Sequence, residues 1–152
     1  LRLARLIALA APALLLGGAY LGQYAFGLYP CEMCWWQRYA HFAALALALA
    51  AYALRRSRAP VALAGLALAT SGLIGGFHAG VEYRWWQGFT ACSTAIEPGG
   101  DPLEAIMNAP LVRCDTAPWD LFGVSLAGWN FLFSLAVALA ILLLVRRAKV
   151  SR

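Results

Sequence analysis

Charge is what this sequence has least of. Only 12% of its 152 residues are Asp, Glu, Lys or Arg, about half the usual share of roughly 25%. A disordered chain needs high charge and low hydrophobicity, so disorder is excluded. Nucleic acid is a poor candidate partner despite the net charge of +5, because the basic residues stand in short clusters between apolar runs and build no basic face. Long polar stretches are rare too. Hydrophobic residues make up 62%, and the 14 glycines raise the share to about 71%, against roughly 45–50% for a soluble chain. A soluble domain this small has too much surface for its volume to hide so much apolar side chain. The composition points to an integral membrane protein, one domain over 1–152.

Four apolar runs cover about residues 6–28, 35–54, 60–81 and 127–145. Each is close to or above the roughly 20 residues that cross a ~30 Å hydrocarbon core as a helix. With no water to bond the backbone, the spans must be helices. The expected fold is all-α, a four-transmembrane-helix bundle with outer loops at 29–34 and 82–126. The long loop carries Arg84, Glu97, Asp101, Glu104, Arg113, Asp115 and Asp120. The first run follows Arg2 and Arg5, as a secretory signal does. It is longer than the roughly 7–15 residues of a signal core and flows straight into Tyr29-Pro30-Cys31, so a retained span is expected.

Positive charge marks the cytoplasmic side of a membrane protein. Nine of the twelve basic residues fall on one expected side: Arg2, Arg5, Arg55, Arg56, Arg58, Arg146, Arg147, Lys149 and Arg152. All seven acidic residues lie in or beside the opposite loops. Both termini are therefore expected in the cytoplasm and the cysteine loops outside, in the periplasm if the host is a bacterium that has one. Gly72, Gly76 and Gly80 recur every four residues and offer a neighbouring helix a bare face; Gly18 and Gly22 are expected to do the same in the first span.

The four cysteines, Cys31, Cys34, Cys92 and Cys114, all fall on the outer, oxidising side. They form a tight pair in Cys31-Glu32-Met33-Cys34 and a wide pair in the long loop. Two structural disulfides are one reading. It suits Cys92–Cys114, since bridging a loop of ~20 residues contributes about 3 kcal/mol; it suits Cys31–Cys34 less, because closing so short a loop removes little chain entropy. Close dithiols of that spacing are more often redox-active. A zinc site commonly uses two close pairs, and attached haem wants His after the second cysteine where Trp35 stands; no metal is expected. Cys34 begins the second helix, whose N-terminus favours an anion, and Arg38 follows one turn later on the same face. A guanidinium there favours the thiolate, with Glu32 opposing it; the other reading of Arg38 is a side chain reaching for the headgroups. Repeated disulfide formation in a membrane needs a two-electron acceptor. No flavin or nicotinamide motif is present, and a membrane quinone fits the location.

The run Tyr29-Pro30-Cys31-Glu32-Met33-Cys34-Trp35-Trp36-Gln37-Arg38 resembles the first outer loop of the bacterial disulfide bond formation protein B (DsbB) family. Thr90-Ala91-Cys92 and Cys114 followed by Pro118-Trp119-Asp120 resemble the ends of its long loop. The resemblance covers the whole chain in span number, orientation and cysteine order. It implies a four-helix bundle that reoxidises a periplasmic DsbA-like thioredoxin-fold thiol oxidase and passes electrons to ubiquinone or menaquinone. On this sequence, it implies that Cys92 forms the mixed disulfide with the partner and Cys114 is its loop mate. Cys31–Cys34 would reoxidise that pair, with Cys34 facing the quinone and Arg38 beside it. The family's polar group near the outer end of the third span, which serves the quinone, has two candidates here, His78 and Glu82. A hydrogen bond within the bundle is the other reading of His78 and the favoured one for His41. Asp101-Pro102-Leu103-Glu104 resembles a capping box and suggests a short surface helix with Leu103, Ile106, Met107 and Pro110 on its apolar face, a plain loop being the alternative. Two other functions compete. A vitamin K epoxide reductase-like enzyme has its close dithiol late in the chain, whereas here it comes first. A four-span scaffold with structural disulfides has no use for Arg38 or a reactive thiol.

Overall fold

The computed structural model describes residues 1–54, 57–89, 93–94 and 111–150. Four helices dominate it: α1 Arg2–Phe26, α2 Glu32–Ala53, α3 Ala59–Glu82 and α4 Leu126–Val150. Two short antiparallel ladders lie between α3 and α4. In one, β1 (Ser93–Thr94) pairs with β2 (Leu111–Val112), Ser93 opposite Val112. In the other, β3 (Asp120–Leu121) pairs with β4 (Val124–Ser125). The segment expected to form a surface helix, 101–110, lies outside the described residues.

Local chemistry sets the helix ends. The first apolar run reaches Leu28, yet α1 stops at Phe26 because Gly27 turns left-handed at φ 65°, a conformation that costs glycine little. The Leu28 N–H then donates to Gly22 O, closing the helix. Helix α2 starts three residues before its apolar run. Cys31 caps it in an extended conformation, its sulfur accepting from the Cys34 N–H at 3.4 Å. Pro60 sits in the first turn of α3, where its missing N–H costs nothing. At the head of α4, Ser125 Oγ accepts from the Gly128 N–H at 3.1 Å, as serine does before a helix. The turn between β3 and β4 has positive φ at both Phe122 (53°) and Gly123 (75°), as a tight two-residue hairpin requires.

Neighbouring helices run antiparallel. Helix α3 packs extensively against α2 and α4, and α1 sits more loosely on the bundle. Helices α1, α3 and α4 are long and apolar enough to cross a membrane; α2 carries Glu32, Gln37, Arg38 and His41 in its first half. At the end away from the cysteines the core is Ala4, Ala8, Ala44, Ala48, Ala51, Ala64, Leu68 and Ile141, and such small side chains let helices come close without water between them.

Glycines on α3 make its seam with α4. A Cβ at Gly72 would meet Ser134 and Leu135 at 3.1–3.2 Å, and one at Gly76 would meet the Phe131 ring at 2.7 Å. Gly80 is covered differently, by the Trp86 indole folded back onto α3 and held by its Nε1–H donating to Phe77 O at 3.0 Å. Among the described residues the helix contact expected at Gly18 and Gly22 is absent. Nothing lies within 4 Å of a Cβ at Gly18, and only Leu28 at Gly22; both glycines instead form part of a cavity wall.

At Gly75 a Cβ would press on backbone, the Ala127 carbonyl at 2.9 Å, and on the Asn130 and Gln37 amides at 3.1–3.2 Å. Gly75→Ala should lower stability by about 1–3 kcal/mol through overpacking. Gly17→Ala, in open space, should be neutral or stabilising by up to about 1 kcal/mol. Thermal unfolding of both variants in detergent checks the contrast.

Candidate active site

Three thiols, Cys31, Cys34 and Cys114, converge at the head of α2. The α2 cap turns Cys31 inward, and its Sγ donates to Cys34 Sγ at 3.0 Å. That hydrogen, given to Cys34, and burial together push the Cys31 pKa up to about 12. Cys114 reaches the same place from the long loop. Val112 and Cys114 join the buried cluster of Cys31, Met33 and Val81, while Arg113 and Asp115 point outward and pair through two hydrogen bonds. The Arg113 guanidinium holds the Asp115 carboxyl down at about 2. Cys114 Sγ, Cys31 Sγ and a ring nitrogen of His78 all lie within 4.8 Å of one another. Among the described residues this is the one cluster of His, Cys and acidic side chains close enough to hold a metal ion.

Behind the sulfurs a buried polar network joins α2, α3 and α4, and backbone carbonyls fix where its hydrogens are. Gln37 Nε2 donates to Met33 O at 3.1 Å. The same nitrogen lies 3.0 Å from His78 Nδ1, which must therefore accept. Neutral His78, 1% exposed, then carries its hydrogen on Nε2, 3.5 Å from Cys31 Sγ and 3.6 Å from Glu82 Oε1. Asn130 Nδ2 donates to Ser71 O at 3.2 Å and to Gln37 Oε1 at 2.8 Å. Ser71 Oγ gives its own hydrogen to Gln37 O at 3.1 Å. His41 Nε2 lies 2.9 Å from both Asn130 Oδ1 and Ser71 Oγ, two groups left only to accept from it. Neutral His41 thus bears its hydrogen on Nε2, and its Nδ1 is bare.

Cys34, Arg38, His41, His78, Glu82 and Asn130 all line one cavity of about 360 Å³ between the four helices. Its walls are otherwise largely apolar, with Leu14, Leu15, Trp129 and Phe133 among them. Arg38 does not reach toward the headgroups. It is 6% exposed, donates to Gln23 Oε1 and to Ala19 O on α1, and lies over the Tyr20 and Trp35 rings at 4.7 and 5.1 Å. Its positive charge stands one turn from Cys34, on the same cavity.

Of the residues singled out from sequence, the structure gathers Cys31, Cys34, Cys114, Arg38, His78 and Glu82 around this cavity and the sulfur cluster beside it. Cys92 lies outside the described residues. His41 is hydrogen-bonded within the bundle through Nε2. Gln37 and Asn130 were not recognised as part of the site. The signal for Asn130 was present: an amide inside an apolar span is costly and needs a buried partner.

Residues 1–144 match the family described as disulfide bond formation protein DsbB. The chain is 34% identical to disulfide bond formation protein B of Polaromonas sp. (strain JS666), a match covering 96% of this chain and 90% of the relative. It is likewise 34% identical to disulfide bond formation protein B of Verminephrobacter eiseniae, over 99% of this chain and 89% of that protein. No solved structure gives a significant match. Three convergent thiols at the end of a multi-pass helical bundle agree with these comparisons: the chain belongs to the DsbB family and is a membrane disulfide oxidoreductase.

Proposed function

We propose that this chain reoxidises a periplasmic DsbA-like thiol oxidase through Cys92 and Cys114, restores that pair with the Cys31–Cys34 disulfide, and passes two electrons from Cys34 to a membrane quinone. The observation that carries the reading is the unbroken line of sulfur from Cys114 to Cys31 to Cys34, ending on a cavity. Its two ends match a donor arriving from water and an acceptor arriving from lipid. The basic residues around Arg2, Arg58 and Arg146 support both termini in the cytoplasm, in a bacterial inner membrane. One membrane domain over 1–152 holds the whole relay.

The residues act as follows. Once the partner has reduced Cys92–Cys114, the Cys114 thiolate attacks Cys31 of the Cys31–Cys34 disulfide, and Cys34 leaves as a thiolate. Cys92, losing its proton, then attacks Cys114; the Cys114–Cys31 bond breaks, Cys31 takes up a proton as it leaves, and the loop disulfide is restored. The helix N-terminus favours the thiolate at Cys34, and Arg38 supplies fixed positive charge to the cavity. His78 directs its Nε2–H at Cys31 and Glu82, which holds Cys31 in line between the other two sulfurs. A bound quinone, ubiquinone or menaquinone, supplies a two-electron acceptor. The cavity suits such a ring: its walls are mostly apolar, Gly18 and Gly22 leave one side bare, and polar atoms stand at its margins. The early position of the close pair disfavours the vitamin K epoxide reductase-like order, and the buried Arg38 beside a cavity disfavours a scaffold.

Purified protein given a reduced thioredoxin-fold thiol oxidase and a soluble quinone should consume the quinone, read as loss of its ultraviolet absorbance. No turnover with benzoquinones or naphthoquinones would overturn the reading. Cys92→Ala should abolish partner oxidation yet leave the Cys31–Cys34 dithiol able to reduce quinone in a single turnover. Arg38→Met should raise the quinone KM about tenfold or more, one charge-assisted contact's worth, with mixed-disulfide formation by Cys92 unchanged.

Because the Cys31 pKa is raised, to about 12, the neutral thiol persists at every pH below that value. Iodoacetamide between pH 7 and 9 should therefore label Cys34 ahead of Cys31 in the reduced protein. Peptide mass spectrometry over a time course reads the order, and preferential labelling of Cys31 would reverse the assignment of the thiolate.

A further inference from the structure

Thiolates and imidazole are the donors that zinc takes, and at the head of α2 they already stand at zinc spacing. A tetrahedral ion about 2.3 Å from sulfur and about 2.0–2.1 Å from nitrogen sets those two atoms about 3.6 Å apart. Cys31 Sγ and His78 Nε2 are 3.5 Å apart, and Cys114 Sγ lies within 4.8 Å of both. Glu82 Oε1, 3.6 Å from the same nitrogen, puts a carboxylate oxygen beside them. An ion held there would tie Cys31 to Cys114, the two sulfurs that have to exchange. What opposes it is a single hydrogen, the one on His78 Nε2. A metal needs the lone pair of that nitrogen, so the hydrogen would have to move to Nδ1. There it would face Gln37 Nε2 at 3.0 Å, donor against donor. Gln37 is not free to turn over. Its nitrogen donates to Met33 O at 3.1 Å and its oxygen accepts from Asn130 Nδ2 at 2.8 Å. Turned end for end, the amide would set oxygen against the Met33 carbonyl and nitrogen against the Asn130 nitrogen.

We infer that Gln37 is a positioning residue that closes the reduced sulfur cluster to zinc and similar thiophilic cations, by holding the His78 hydrogen on the nitrogen such an ion would need. The arrangement reverses the one usual at zinc sites. There the second ring nitrogen of a ligating histidine donates to a carboxylate or a carbonyl, which leaves the first nitrogen bare. Here Gln37 offers Nδ1 a donor instead of an acceptor, and Nε2 keeps its hydrogen. An ion denied the imidazole is left with the two thiols, and Cys31 gives up its own hydrogen only near pH 12. Capture would move no electrons: Zn²⁺ would enter as the thiol protons leave to water. What the exclusion preserves, a Cys31 and a Cys114 free to exchange, rests on the relay proposed above. The exclusion itself needs only the sulfurs reduced.

The test uses the full chain in lipid nanodiscs, reduced and then kept under argon. Co²⁺ is the probe, since thiolate ligation gives it a charge-transfer band in the near ultraviolet, and competition by Zn²⁺ yields the zinc dissociation constant. Gln37→Glu gives Nδ1 an acceptor and should hold Zn²⁺ about 10–100-fold more tightly than the unsubstituted protein, the range of an outer-shell partner. Gln37→Met removes the donor without adding charge and should fall between the two, which separates hydrogen placement from electrostatic attraction. Adding Cys114→Ser to Gln37→Glu should abolish the gain. With only two histidines in the chain, ¹⁵N-histidine NMR reads the His78 ring directly in the unsubstituted protein, so the test survives a variant that fails to fold. Its hydrogen should sit on Nε2, and should stay there at Zn²⁺ concentrations that fill Gln37→Glu. Unsubstituted protein that binds Zn²⁺ as tightly as Gln37→Glu, a His78 hydrogen on Nδ1, or a gain that survives Cys114→Ser overturns the inference. None of these readouts involves quinone, so the proposed function stands or falls on its own turnover assay.

Discussion

The pairing of two amides, Gln37 on α2 with Asn130 on α4, is the contact on which the rest of the site depends. In a bilayer neither side chain can turn to water, so every hydrogen left without an acceptor is a direct loss. Both amide nitrogens are pinned by carbonyls that can only accept, Met33 O and Ser71 O, and each amide has a single orientation. That orientation sets the hydrogen of His78 on the nitrogen facing Cys31 and the hydrogen of His41 on the nitrogen facing Asn130. Two histidines on different helices thus take complementary roles: His78 directs its hydrogen beside the sulfur, and His41 spends its own within the bundle on Asn130 and Ser71. Both hydrogen placements follow from one buried contact.

Helix α1 completes the cavity without belonging to the tightly packed trio. Its link to α2 near the cysteines centres on Arg38, which reaches across to Ala19 O and Gln23 and lies over Tyr20. Burying a guanidinium in a membrane costs about 2.5–3.5 kcal/mol at the centre and less toward the surface; hydrogen bonds to a carbonyl and an amide, with two aromatic faces, offset that cost. Arg38 therefore holds α1 in place and charges the cavity wall. Gly18 and Gly22 belong to the same design. Glycines on α3 are covered by Ser134, Leu135 and Phe131, whereas Gly18 has nothing above it. Where α1 stands off from its neighbours, a missing side chain enlarges a cavity instead of tightening a seam.

The division between what could be read in the sequence and what could not follows from the range of each interaction. Apolar run length and the clustering of arginine are local properties, and they locate four helices. The Cys31–Cys34 spacing is local too, and so is the Arg38 position one turn on. Helix ends depended on single residues that override hydropathy: Gly27 stops α1 inside its apolar run, and Cys31 starts α2 ahead of its own. The Gly18 and Gly22 pattern was legible as a bare face but silent on what faces it, because spacing carries no information about a neighbour. Asn130 was the clearest signal left unused. The approach of Cys114 to Cys31 joins residues more than eighty positions apart, and only the folding of the loop onto the head of α2 reveals it.

The two members of the close pair are not equivalent, and their difference gives the relay a direction. In thiol–disulfide exchange the sulfur with the lower pKa leaves faster. Attack on Cys31 expels Cys34, at a helix N-terminus and already accepting a hydrogen from its neighbour. Attack on Cys34 would have to expel Cys31, whose pKa stands near 12, and is the slower course. Cys114 is delivered to within 4.8 Å of Cys31, the side from which attack is productive. The inward turn of Val112 and Cys114, with Arg113 and Asp115 paired outside, makes that delivery a property of the loop's own alternation. On the proposed relay, electrons entering from the loop would be set down on Cys34, the member of the pair that lines the cavity.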